Sequence, residues 1–216
     1  MSRTRLVCWI ALVAAVSALE YSARFSGTTT TNTRNEVYSY SAFANGLVFY
    51  GLIFGVVVAI AFDRADLFAL RRPARRAAWL ALGVLVATYL WELVVVALPV
   101  RDPSKEQGLT PTHWEPAHAG AFAANVVLFA VVAPVVEELT FRGVGQSLLR
   151  FTGRWPSIVL VGVAFGVWHG LVEALLVLVP FGIGLAYLRD RTRSVVPGMV
   201  VHALFNGAAL AVAVLS

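Results

Sequence analysis

The chain has 216 residues, of which 59% are hydrophobic and 13% charged. Soluble domains carry about a quarter charged residues, so this composition excludes a water-soluble globular domain and points to one polytopic integral membrane unit. The net charge of +5 is almost all arginine and falls in loops between apolar runs, which excludes a nucleic-acid partner.

Seven apolar runs predict the elements. The first, Leu6–Leu19, follows Arg3 and Arg5 and is short for a span. It reads as a retained helix, with signal cleavage after Val16-Ser17-Ala18 as the other reading. Its Cys8, the chain's single cysteine, leaves no internal disulfide or cysteine-rich metal site and reads as a small buried hydrophobe. A polar segment, 26–41, leads to the second run, about Ala42–Phe62, where Gly51 and Gly55 have the spacing of close helix contact. The basic loop 63–76 precedes the third run, Ala77–Val100. Residues 101–118 read as an outer loop or re-entrant segment, with room for an eighth element. The fourth run, Ala119–Val136, ends on Glu137 and Glu138, and a basic stretch follows at 141–156. The fifth and sixth runs, Ser157–Leu171 and Ala174–Leu188, are only 15 residues each. The loop 189–194 is basic, and the seventh run is Val195–Leu215. The expected fold is therefore an all-α polytopic transmembrane bundle of seven or eight spans. The arginine-rich loops 63–76, 142–154 and 189–193 mark the cytoplasmic side, together with the N-terminus.

Three polar clusters sit in the last helices. Glu137, Glu138 and Arg142 would together cost up to about 8–10 kcal/mol if they lay deep and unpaired. Glu138 and Arg142 are four residues apart, share a helix face and can pair. Glu137 points about 100° away and is left free for another partner. The bland alternative solvates all three at the membrane edge. His169 follows a Gly162–Gly166–Gly170 stripe that should face a neighbouring helix, with Glu173 four residues on as a candidate to orient its ring. His202 and Asn206 are one turn apart on one face. Taken singly, each cluster also reads as helix-packing polarity. Taken together, a carboxylate, two imidazoles and an amide can supply a general base, a water-binding ring and an oxyanion-stabilising pair. No serine, threonine or cysteine stands in a convincing nucleophile position beside these bases, so the expected nucleophile is water.

The ordered motifs "EELTFR" (137–142), "FGVWH" (165–169) and "HALFN" (202–206) resemble the EExxxR, FxxxH and HxxxN pattern of the CPBP family of intramembrane proteases, also called Abi or CAAX proteases. The resemblance covers about residues 119–210. It implies an intramembrane endopeptidase with Glu137 as the base that activates water and His169 as its helper. It makes His202 and Asn206 the oxyanion stabilisers, and Glu138 with Arg142 the supporting pair. Residues 1–118 would then supply transmembrane helices without a diagnostic motif, and 119–216 the catalytic core of one integrated domain. The implied substrate is a membrane-associated protein or peptide, such as a prenylated C-terminus or a sorting signal. The expected location is the bacterial cytoplasmic membrane. No cofactor is expected. A zinc ion on the two histidines and a glutamate is the less favoured alternative, there being no HExxH. Two other functions compete: a non-enzymatic immunity or scaffold protein of the same fold, and a small ion-coupled transporter.

Helix rise raises a question of depth. Straight helices set His169 about 20 Å from Pro156, but His202 only about 8 Å from Pro197, with Glu137 near the arginine-rich face. A kink at Pro134, a deeper start to the fourth helix, or a re-entrant fifth would each reconcile them.

Overall fold

The computed structural model describes residues 2–26, 36–98 and 113–215. Each apolar run becomes a helix: α1 (Arg3–Phe25), α2 (Tyr40–Ile60) and α3 (Ala77–Ala97), α4 (Pro116–Thr152), then α5 (Arg154–Trp168), α6 (Leu175–Thr192) and α7 (Val196–Leu215). No strand occurs among the described residues. Five helices, α1 to α4 and α7, are long and apolar enough to cross a membrane. α5 has 15 residues, and α6 ends on Arg189, Asp190 and Arg191. The described residues thus supply five candidate spans rather than seven or eight. Of the segment in which an eighth element has room, residues 101–112 lie outside them, and Pro116–His118 is the 3-10 turn that opens α4.

The outer faces are apolar. Leu52, Trp79 and Leu93 are each about two-thirds exposed or more, a surface that fits lipid rather than water. α1 is longer than its apolar run and packs into the bundle. Trp9 is buried and donates from its indole to the Thr140 carbonyl at 2.9 Å. Cys8, on the other side of that helix, is exposed rather than buried. Gly51 and Gly55 likewise make no close contact among the described residues, because a Cβ at either would meet none of them within 4 Å. The spacing expected to bring helices together faces outward instead.

The tight contact lies between α5 and α6. A Cβ on Gly162 would collide with Ile183, and one on Gly166 with Val179. Gly182 answers from α6, where a Cβ would lie 2.8 Å from the Gly162 carbonyl. Gly170 does not continue the stripe. It has φ +66 and forms the turn after α5, against Glu20 and Tyr21 of α1, a conformation that glycine adopts without penalty.

Two prolines inside helices each free a carbonyl, and a neighbouring helix takes each one. Pro180 cannot donate to the Leu176 carbonyl one turn back, and Trp91 of α3 donates to it at 2.6 Å. The second proline, Pro134, lies in α4. That helix does not stop at the glutamates, as the apolar run does, but continues through them to Thr152. It passes through two π-helical stretches, Leu128–Val132 and Leu139–Gly145. Such stretches shift the ladder by one residue and re-aim the side chains beyond. The basic stretch expected after the glutamates is therefore mostly buried helix as far as Leu149, and Arg142 belongs to the core.

This extension answers the question of depth. α4 and α5 form a hairpin about Gly153, and Glu137 lies as many residues before that turn as His169 lies after it. α7 starts already inside the bundle. Ser194 and Val195 are fully buried, with Ser194 Oγ on the Arg71 carbonyl and the Val195 N–H on Ala69.

Candidate active site

Glu137, Glu138 and Arg142 are 4%, 0% and 0% exposed, so solvation at a membrane edge is ruled out as their environment. The expected pair is present: Arg142 Nη1 donates to Glu138 Oε1 at 2.7 Å. Its other arm donates to the Gly182 carbonyl of α6 at 3.0 Å, and its guanidinium carbon stands 4.2 Å from the Phe165 ring centroid. One arginine thus ties α4 to α5 and α6 while neutralising a buried carboxylate. The fork geometry of its guanidinium suits this double role.

Glu137 faces elsewhere, as the 100° offset requires. Tyr50 of α2 donates its hydroxyl to Glu137 Oε1 at 3.0 Å. The other oxygen, Oε2, is buried without a hydrogen-bond partner. It stands 3.7 Å from His169 Nε2 and 3.7 Å from His202 Nε2. Those separations are too long for direct hydrogen bonds and short enough for one water to lie among the three groups and donate to two of them.

Both imidazoles are held by their far nitrogens. His169 Nδ1 donates to the Phe165 carbonyl at 2.8 Å, which orients the ring. His202 Nδ1 lies 3.3 Å from Glu138 Oε1, the oxygen that also receives Arg142. In the neutral rings this leaves each Nε2 as an acceptor facing Glu137. Phe165 is the shared wall, edge-on to His169 at 4.7 Å and to His202 at 5.4 Å. His202 is sealed in, whereas the His169 side chain is 24% exposed and forms the open rim of the cluster.

Asn206 stands one turn beyond His202, and its Nδ2 donates to the Phe129 carbonyl at 2.9 Å. The π register explains that acceptor. The Ala133 N–H bonds to Leu128, five residues back. Residue 134 would bond to Phe129 in the same register but is proline, without an N–H. The freed carbonyl is the one that Asn206 takes. Among the described residues no side-chain hydrogen bond joins Asn206 to Glu137, His169 or His202, so the structure brings three of the four candidates together directly and the fourth as their neighbour.

Tyr50 is the residue that sequence reasoning missed. A hydroxyl in mid-helix within an apolar run must find an acceptor, which is the available signal. Nothing in the local pattern identifies that acceptor as a glutamate 87 residues away. Gly198 was missed too: a Cβ there would lie 2.5 Å from Glu138 Oε2. Its bareness lets α7 close over the carboxylate.

For zinc, the two carboxylate–imidazole separations exceed the roughly 3.3 Å edge of a tetrahedral site with ligands at 2.0–2.1 Å. Among the described residues no group of three or more His, Cys, Asp or Glu is arranged to hold a metal.

Residues 119–208 match the family model described as type II CAAX prenyl endopeptidase, Rce1-like. No curated protein and no solved structure matches the chain.

Proposed function

We propose, from the match of residues 119–208 to the CAAX prenyl endopeptidase model, that the chain is a CAAX-protease-like intramembrane endopeptidase in which Glu137 activates water against a peptide bond of a membrane-associated protein. The observation that carries this reading is the unpartnered Glu137 Oε2, buried and 3.7 Å from the Nε2 atoms of both His169 and His202.

In this reading water lies among the three groups. Glu137 Oε2 takes one of its protons as the water oxygen bonds to the substrate carbonyl carbon. His169, at the open rim, holds the water's remaining hydrogen. The carbonyl electron pair moves onto oxygen and meets His202 and the second N–H of Asn206. With His202 as imidazolium, Nδ1 donates to Glu138 and Nε2 to the oxyanion. Collapse breaks the C–N bond, and Glu137 returns its proton to the leaving nitrogen. One water is consumed for each bond cleaved. Tyr50 is a positioning residue: it fixes Oε1 and so aims Oε2.

The substrate class, a lipidated C-terminus or a sorting signal among them, follows from the family alone. The test is a comparison of membrane peptides from cells carrying wild type or Glu137→Gln. Fragments found only with wild type support the reading. Identical peptide sets, with any cellular phenotype retained by Glu137→Gln, favour the immunity or scaffold alternative. Ion flux in proteoliposomes without cleavage favours the transporter.

A further inference from the structure

A second polar cluster lies at the arginine-rich end of the bundle, about nine residues beyond Glu137 along α4, or roughly 13 Å by helix rise. There the end of α4, the start of α5 and the end of α6 enclose a cavity of about 60 Å³ lined by Gln146, Arg150, Gly153, Arg154, Arg189 and their neighbours. One water needs about 10–15 Å³ on the same measure, so the space suits a larger polar group.

The charges there do not balance. Arg154 is closed off by Asp190 at 2.8 Å. Arg189 is only 5% exposed, donates from Nη2 to Ser147 Oγ at 2.6 Å, and keeps a buried Nε without any partner. Neither Arg189 nor Arg150 makes an ion pair among the described residues, which leaves two guanidiniums uncompensated. Arg150 is exposed, but Arg189 is a buried cation without an ion-pair partner, which is costly, so this arrangement favours a bound anion.

The helix geometry adds to the attraction. α5 begins at Arg154 with no side-chain cap, and Gly153 precedes it at φ +101. The first N–H groups of a helix have no intrahelical partner and carry the positive end of its dipole. Gly153 lines the cavity, so this end is presented to it. Gln146, 1% exposed, donates from Nε2 to the Ala186 carbonyl and keeps a buried Oε1 unpartnered. That oxygen suits a ligand carrying a hydroxyl. Phe151 and Trp155, each next in sequence to a lining arginine, have exposed rings, as aromatic side chains do at headgroup level.

We propose that this cavity is a binding site for a phosphate group, supplied either by the headgroup of an acidic phospholipid or by free phosphate, and held by Arg150, Arg189 and the N-terminus of α5. The site is independent of the proteolytic reading.

The experiment measures thermal unfolding of the full chain in delipidated detergent micelles. Inorganic phosphate is titrated in one arm and phosphatidylglycerol in the other, with phosphatidylcholine and sodium chloride as controls. The expected result is stabilisation by phosphate, by phosphatidylglycerol or by both, but by neither control. Response to phosphatidylglycerol alone assigns the lipid source, and an equal response to inorganic phosphate assigns the free anion. Arg189→Gln should weaken the midpoint about tenfold, the loss of one charge-assisted contact. Arg150→Gln, on an exposed side chain, provides the same test if the buried variant does not fold. Arg75→Gln, on the exposed loop before α3, should respond as wild type. The proposal is overturned if neither phosphate source stabilises the protein beyond the salt control, or if Arg150→Gln and Arg75→Gln respond alike.

Discussion

Replacing Arg142 by methionine keeps most of the side-chain volume and removes the charge. Three interactions go with it: the 2.7 Å bond to Glu138, the 3.0 Å bond to Gly182, and the stacking on Phe165 at 4.2 Å. Each charged hydrogen bond is worth about 1.5–3 kcal/mol, and a desolvated cation–π contact about 2. Their sum overstates the loss, because removing the guanidinium also removes the cost of burying it. The carboxylate left behind costs more. Glu138 is 0% exposed and would keep only His202 as a partner for that oxygen. Breaking a buried pair from one side costs about 3–5 kcal/mol, and that is the expected loss for Arg142→Met. Glu138→Gln combined with Arg142→Met removes both charges and should recover about half of it. The assay is equilibrium unfolding in mixed micelles for the two single variants and the double. An Arg142→Met protein within about 1 kcal/mol of wild type, or a double variant weaker than the sum of the singles, would refute the argument that this ion pair holds α4, α5 and α6 in register.

Tyr50→Phe should leave unfolding nearly unchanged and lower kcat about tenfold with little change in KM, since the hydroxyl only aims Glu137 and does not bind substrate; an equal rise in KM would contradict that role. Gly198→Ala should lower activity about tenfold or more. Alanine would normally gain about 1 kcal/mol in a helix, but its Cβ would press on a carboxylate already pinned by Arg142 and His202, and overpacking costs about 1–3 kcal/mol; an active, more stable variant would show that the contact relaxes freely. Chelation by EDTA or phenanthroline, followed by dialysis, should leave the rate of peptide cleavage unchanged, and restoration of a lost rate by zinc would replace the glutamate–water reading with a metal one.

Much of the architecture can be read along the chain because burial in lipid writes itself locally. Every apolar run became a helix, since a backbone in hydrocarbon must satisfy its own hydrogen bonds. The Glu138–Arg142 pair followed from four-residue spacing, and the divergence of Glu137 from 100° per residue. Those rules involve one helix at a time. Which face of a helix meets which neighbour is a different kind of information. Gly51 and Gly55 have the spacing of a contact and make none among the described residues, while Gly162 and Gly166 have the same spacing and pack against α6. The fourth run looked finished at the glutamates because local hydropathy drops there. The helix continues because Gly182, Phe165, Trp9 and His202, all distant in sequence, supply partners for Glu138, Thr140 and Arg142. Tyr50 on Glu137, Asn206 on the carbonyl freed by Pro134, and Trp91 on the one freed by Pro180 are pairings of this type. The residue types and their order set the chemistry available to this protein. The convergence of one carboxylate oxygen and two imidazole nitrogens depends on the packing of α4, α5 and α7, because only contacts between helices can bring together groups separated by dozens of residues.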